Sequence, residues 1–111
     1  MDASAAGSVV LVIFPFSDLS HAKLRPALVL ARAGHEESIL AQITSRPYAD
    51  SQAFKIADQD FLSGSLRVIS HVRPAKLFTA HTSLIKAEVG RLKPDVLRAV
   101  IHRVVNILAC E

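Results

Sequence analysis

The chain of 111 residues is long enough for one domain with its own core and too short for two. Half of its residues are hydrophobic and 21% are charged, which excludes an intrinsically disordered protein. Its apolar runs fall well short of the roughly 20 residues of a membrane-spanning helix, so no membrane contact is expected. The formal net charge of +3 favours an anionic partner.

The amino-terminal segment and the single cysteine bear on processing and location. Residues 1–6 are small and polar and include an acid, so we expect a disordered lead-in rather than a signal peptide, followed by a single domain over residues 7–111. Cys110 has no second cysteine with which to form an internal disulfide. This is typical of a protein of the reducing cytoplasm.

Apolar runs separated by turn residues predict a series of short strands. The predicted strands are Val9–Phe14, Pro26–Ala33, Ile39–Thr44, Phe54–Ile56, Leu66–Val72, Lys76–Thr79 and Glu88–Leu92. A turn or a single helical turn is expected at Asp58–Leu62. Because strand side chains alternate, four residues around the fifth strand would share one face: Arg67, Ile69, His71 and Arg73. Strands this short, joined by such loops, favour a mainly β fold built as a small antiparallel barrel.

The carboxy-terminal segment predicts an amphipathic helix. Pro94 suits the first helical position, and Asp95 lies where the helix dipole favours an anion. The apolar residues then recur at helical spacing: Val96, Leu97, Val100, Ile101, Val104, Val105, Ile107 and Leu108. Arg98, His102, Arg103 and Asn106 take the other side. The apolar stripe would pack on the barrel or on a partner subunit.

A polar loop between the first two strands ends at an arginine. Pro15 stops the first strand because proline has no backbone N–H to donate. Residues 17–24 are mostly polar, and Arg25 and Pro26 then precede the second apolar run. An arginine at the root of a buried strand, beside a flexible loop, is placed to hold a positive charge next to a surface groove.

A set of short motifs runs through nearly the whole chain. The sequence reads GSVVLVIFPFSDLS from Gly7, RPALVL from Arg25, ITSR from Ile43 and SHVRPAKLFT from Ser70, followed by LI and by VGRL from Val89. In this order and spacing, the motifs resemble those of the MazF/PemK toxins of type II toxin–antitoxin modules.

The resemblance implies an SH3-like antiparallel barrel with a carboxy-terminal amphipathic helix, as in CcdB, Kid and MazF, and usually a homodimer. It also implies sequence-selective cleavage of single-stranded RNA that needs no metal or other cofactor and leaves a 2′,3′-cyclic phosphate. A cognate antitoxin protein would block the groove.

The resemblance also assigns residues of this chain to roles. The family's catalytic arginine falls on Arg25 and its catalytic threonine on Thr44. The residues implied or expected to bind RNA are Arg73, Lys76, Arg46, Ser45, Lys23 and Asp18. Many relatives have acids at the positions of Ser8 and Ala75, so a proton transfer by an aspartate two residues after Arg73 is not available here.

The chemistry of RNA cleavage fits the two catalytic assignments. Attack by the 2′-hydroxyl requires removal of its proton, stabilisation of a charged phosphorane and protonation of the leaving 5′-oxygen. The guanidinium of Arg25 offers planar, bidentate donors that match a phosphate. The Thr44 hydroxyl can hold a phosphate oxygen in register for the attack.

Three alternatives remain open. His21 and His71 could act as an imidazole acid–base pair in place of the arginine scheme. A non-enzymatic toxin of the same fold could poison DNA gyrase through the end of the helix. A catalytically inactive, RNA-binding relative is the third. A metal site is not expected, because the chain has no Cys-x-x-Cys and no His-x-x-x-His motif.

Overall fold

The structure, a computed structural model, describes residues 5–14, 23–47 and 49–110. Its elements are β1 (Ser8–Ile13), β2 (Leu24–Gly34), β3 (Glu37–Thr44), β4 (Phe54–Ile56), β5 (Phe61–Gly64), β6 (Ser70–His81), β7 (Ile85–Leu92) and α1 (Pro94–Ala109). Short 3₁₀ turns precede β5 at Asp58–Asp60 and β7 at Thr82–Leu84.

All seven strands form one antiparallel sheet in the order β4-β6-β3-β2-β1-β7-β5. The edge strands β4 and β5 do not pair with each other, so the barrel is open rather than closed. A mainly β, barrel-like antiparallel fold with one carboxy-terminal helix is therefore confirmed.

Apolar side chains are buried on both faces of the central strands, because successive residues of a strand point to opposite sides. One apolar cluster contains Val9, Leu28, Leu30, Ala41, Ile43, Ile56, Phe61, Val72 and Leu92 together with two helix residues. The other contains Val10, Val12, Ala27, Val29, Leu40, Phe78 and Ala80. This double burial explains why β1 and β2 read as unbroken apolar runs in the sequence.

Helix α1 covers the first of these clusters. Val100 and Val104 are buried in the cluster, and Val96, Leu97 and Ile101 pack against it. Pro94 lies at the start of the helix with Asp95 in the first turn, as predicted. Val105 and Leu108, which belong to the same predicted stripe, are instead 52% and 72% exposed, so the end of the helix leaves apolar surface uncovered.

The structure corrects the prediction for the segment from Phe61 to Thr79. Phe61–Gly64 forms the unpredicted strand β5. The strand predicted at Leu66–Val72 begins only at Ser70, because Arg67 adopts the left-handed region at φ +66° and the Ser65 hydroxyl accepts its N–H. Of the four residues predicted to share one face, His71 and Arg73 do so as alternate residues of β6, whereas Arg67 and Ile69 lie outside the strand.

Strand β6 is longer than predicted and contains an irregularity. It runs without interruption into the predicted strand Lys76–Thr79. Against β3, Arg73 pairs with Gln42 but Leu77 pairs with Ala41, so three residues of β6 have no partner in β3. A bulge of this kind tolerates Pro74, which lacks the N–H that a regular ladder needs.

The domain limits stay predictions, and the lead-in lies mainly outside the described residues. From Gly7 onward the backbone is tied to the sheet, since its N–H donates to Val29 O at 2.8 Å and its carbonyl accepts from Leu92 N at 2.9 Å. Among the described residues, no helix has the length and apolar character needed to cross a membrane.

Candidate functional site

Arg25 and Thr44 line one open pocket, which has a volume of about 300 Å³. The remaining lining residues are Pro26, Ile43, Ser45, Leu66, Val68 and Ser70. The strand register explains the meeting: Ala27 pairs with Gln42, and continuing this antiparallel register by two residues places Arg25 opposite Thr44. Side chains in directly opposite positions point to the same face.

Arg25 presents its charge to solvent. It pairs with Val12 of β1 through the backbone and its side chain is exposed. No hydrogen bond or ion pair joins its guanidinium to another described residue. A guanidinium on a fixed backbone position, with its N–H donors free of other described residues, suits bidentate binding of two oxygens of a phosphate.

Thr44 ends β3 with its hydroxyl turned back on the chain. Its Oγ1 accepts the N–H of Arg46 at 3.0 Å and donates to the carbonyl of the same residue at 3.2 Å. This local turn fixes the side chain and places Ser45 in the pocket wall. The donated bond is long, so the hydroxyl proton can be redirected to a ligand while Arg46 N–H still holds the oxygen.

A histidine lies on the far side of Thr44. His71 of β6 is the direct cross-strand partner of Thr44, and Lys55 of β4 is the next residue in the same row. His71 Nδ1 is buried and has no hydrogen-bond partner among the described residues. Imidazole and ammonium groups therefore extend the polar row of Arg25 and Thr44 across the sheet. His21, the other half of the histidine scheme, lies outside the described residues.

Arg73 is held by an acid that the sequence did not point to. Its Nε donates to Asp50 Oδ2 at 2.9 Å, with side chains 27% and 12% exposed respectively. The hydrogen bond from Arg73 lowers the pKa of Asp50 below its ordinary value of 3.8; burial opposes this, and the N–H of Gln52 and the charge of Lys76 add to the lowering. Arg73 thus has a carboxylate beside it although Ala75 provides none.

The loop that carries Asp50 is attached to the helix. Arg103 of α1 donates to the carbonyls of Gln52 and Ala53 at 3.5 and 3.3 Å. Its guanidinium also stacks over the ring of Phe54, 4.8 Å from the centroid. Arg103, predicted on the polar side of the helix, thus connects the helix to this loop.

Of the residues expected to bind RNA, Ser45 lines the pocket, and Lys23, Arg46 and Lys76 do not. Lys23 and Arg46 are exposed at the ends of β2 and β3, and Lys76 is exposed in the β6 bulge. Asp18 lies outside the described residues. No group of three or more histidines, cysteines and acids comes together as a possible metal site within the described ranges.

Sequence reasoning missed the walls of the pocket and the partner of Arg73. Leu66 and Val68 reach the pocket because Arg67 between them has a positive φ, which residue type alone does not reveal. Asp50 and Arg73 are 23 positions apart in the sequence, and the pairing of β4 with β6 brings the loop before β4 close to Arg73. In the sequence, only the polar residues of the turn around Asp50 could have drawn attention to this acid as a partner for Arg73.

One family model matches nearly the whole chain. The model of the PemK-like, MazF-like toxins of type II toxin–antitoxin systems matches residues 5–108. No curated protein sequence matches significantly.

Solved structures of similar fold cover nearly the whole chain. A MazE–MazF complex from Deinococcus radiodurans has a TM-score of 0.77 at 20% identity, over 99% of this chain and 100% of that one. The Mycobacterium tuberculosis toxin MazF-mt6 has a TM-score of 0.71 at 18% identity, over 94% and 98%. A mycobacterial endoribonuclease in complex with its cognate antitoxin has 0.70 at 15% identity, over 100% and 98%.

Proposed function

Because the chain belongs to the PemK-like, MazF-like toxins of type II toxin–antitoxin systems, we propose that it is an endoribonuclease that cleaves single-stranded RNA at selected sequences. The substrate would be mRNA, and a cognate antitoxin would neutralise the enzyme. The observation that carries this proposal is the shared pocket of Arg25 and Thr44. A cationic fork and a hydroxyl on neighbouring strands, open to solvent, form a site that an unpaired ribonucleotide can enter.

The reaction is a transesterification in which the substrate supplies the nucleophile. The 2′-oxygen attacks the adjacent phosphorus, the bond from phosphorus to the 5′-oxygen breaks, and a 2′,3′-cyclic phosphate forms. One proton leaves the 2′-hydroxyl and one reaches the departing 5′-oxygen, so the step is balanced without an oxidant or a metal ion. The protein has to stabilise the charge that develops on the phosphorane oxygens.

Arg25 is assigned to that charge and Thr44 to alignment. The exposed guanidinium of Arg25 can give two parallel hydrogen bonds to the non-bridging oxygens. Thr44 Oγ1 can exchange its long bond to the Arg46 carbonyl for a bond to one of these oxygens. Holding the phosphate in this way brings the 2′-oxygen into line for the attack. Arg73, Lys76, Arg46, Ser45 and Lys23 are assigned to the RNA backbone around the pocket.

The deciding experiment uses purified protein, a long single-stranded RNA and EDTA. We expect discrete fragments with cyclic phosphate ends from wild type, and a loss of about 10²–10³ in rate for Arg25→Ala. Arg32→Ala is the matched control, since Arg32 is an exposed arginine further along β2. Fragments that disappear in EDTA would contradict the metal-free scheme.

The same experiment separates the alternative functions. RNA that is bound but not cut would identify the inactive relative. Intact RNA together with inhibited DNA gyrase, unaffected by Arg25→Ala, would identify the gyrase poison. A rate that falls on replacing both His21 and His71 but not on replacing Arg25 would establish the histidine scheme. Addition of the antitoxin encoded alongside should abolish cleavage by wild type.

A further inference from the structure

We propose that Asp50 is a positioning residue that orients the guanidinium of Arg73 towards an RNA phosphate. The inference rests on the proposed function and adds a residue to it. Asp50 belongs to the loop between β3 and β4, and none of the sequence motifs includes it.

The contact between the two side chains uses only one nitrogen of the arginine. Arg73 Nε donates to Asp50 Oδ2 at 2.9 Å. Neither Nη group is bonded to a described residue, so both remain available on the side of the guanidinium away from Asp50. A side-on contact of this kind fixes the plane of the fork and leaves its outer donors free for an anion.

The carboxylate itself is held from the opposite side. Its Oδ1 accepts the N–H of Gln52 at 3.0 Å, which closes a turn within the loop. The backbone of Asp50 is also tied, since its N–H donates to Pro47 O at 3.0 Å and its carbonyl accepts from Ala53 N at 3.2 Å. Both carboxylate oxygens and both backbone groups of Asp50 are hydrogen-bonded. The position of its side chain is therefore constrained, and so is that of the Arg73 guanidinium bonded to it.

Contacts with α1 also hold the loop in place. Arg103 donates to two carbonyls of the loop and stacks on Phe54, which starts β4. The loop is thus attached both to β4 and to the helix, and it cannot move without breaking these contacts. An anchor must be more rigid than the side chain that it orients, and this loop meets that requirement.

Arg73 lies on the correct face of the sheet for this role. Its cross-strand partner is Gln42, one row from the pair formed by Thr44 and His71. Residues two apart on a strand share a face, and diagonal neighbours lie about 7–8 Å apart. Arg73 can therefore contact a phosphate next to the one held at Arg25 and Thr44.

A double-mutant cycle tests the inference. Cleavage of a short RNA is measured for wild type, Asp50→Asn, Arg73→Ala and the double variant, with KM and kcat separated. Asparagine keeps an acceptor for Gln52 N–H and removes the charge. We expect Asp50→Asn and Arg73→Ala each to raise KM about tenfold, and the double variant to be no worse than Arg73→Ala. Asp95→Asn, an exposed acid at the helix start, is the control and should match wild type.

Each result supports or overturns the inference. An Asp50→Asn loss that is as large without Arg73 as with it, whether by unfolding or otherwise, means that Asp50 only maintains the loop, and the inference is overturned. It is also overturned if Asp50→Asn behaves as wild type. In both cases wild-type cleavage leaves the proposed function intact. Failure of wild type to cleave any RNA overturns the proposed function and this inference together.

Discussion

Thr44 illustrates how a single hydroxyl can be fixed before a ligand arrives. Its oxygen is bonded to Arg46 N–H, and its proton points to a carbonyl at 3.2 Å. We expect Thr44→Val to lower the rate of single-turnover RNA cleavage about a hundredfold, because the donor to the phosphate is lost. Thr44→Ser, which keeps the hydroxyl, should stay within a few-fold of wild type.

The control for Thr44 is a threonine outside the pocket. Thr79 is exposed on β6, and Thr79→Val makes the same chemical change there. Equal rates for Thr44→Val and Thr79→Val would show that the Thr44 hydroxyl does not act on the substrate.

The ion pair of Asp50 and Arg73 makes stability depend on pH in acid. The folded pKa of Asp50 is lowered, so the pair stabilises the native state above pH 3.8 and is lost as the pH falls through the folded pKa. When acidification protonates Asp50 and breaks the pair, we expect the free energy of unfolding to fall by about 1–3 kcal/mol. Urea denaturation of wild type and Asp50→Asn at pH values above and below 3.8 measures it. Parallel pH curves for the two proteins would contradict the assignment.

At the scale of elements, the contact of β5 with β7 requires a glycine. A Cβ at Gly90 would lie 2.8 Å from the ring of Phe61 and 2.9 Å from the carbonyl of Ser63. Phe61 is buried and cannot swing away freely. Gly90→Ala should therefore destabilise the fold by about 1–3 kcal/mol in chemical denaturation. Ala87→Ser, an exposed change on the same strand, should have little effect, and equal stability of the two variants would show that β5 yields.

Helices and strands were predicted correctly where a single sequence pattern determines the element, and less well where local propensity and backbone geometry conflict. The apolar runs of β1 and β2 and the periodicity of α1 located those elements to within a few residues. The segment after Asp60 was harder, because Val68 and Ile69 favour a strand yet lie exposed beside a left-handed arginine. The meeting of Arg25 with Thr44 followed from a family resemblance. The meeting of Asp50 with Arg73 needed the register of the sheet.

At the scale of the molecule, the positive charge predicts salt-sensitive RNA binding. Each phosphate contact to single-stranded RNA contributes about −0.7 to the slope of log affinity against log salt concentration. We expect Lys23→Ala and Lys76→Ala each to weaken binding of an uncleavable 2′-deoxy analogue and to reduce this slope by about that amount. Fluorescence anisotropy over a salt series measures it. Lys86→Ala on β7 is the matched control, and slopes indistinguishable from it would remove both lysines from the interface.

Assembly is the second property of the whole molecule. The homodimer stays a prediction, and the apolar surface of Val105 and Leu108 at the end of α1 is where we expect the partner subunit. Sedimentation should show a dimer for wild type and a shift to monomer for Leu108→Glu, since a buried charge opposes association. Lys93→Glu, also exposed but before the helix, should remain dimeric. A wild-type monomer at all concentrations would contradict the prediction.

The break in the pairing of β6 with β3 has a consequence for how such chains diverge. In an unbroken ladder, adding or removing one residue turns every later side chain to the opposite face. Here Pro74, Ala75 and Lys76 have no partner in β3, so the stretch bearing His71 and Arg73 is uncoupled from the stretch bearing Phe78 and Ala80. A change of length at this point can therefore be absorbed while Val72 on one side and Phe78 on the other keep their places in the two apolar clusters.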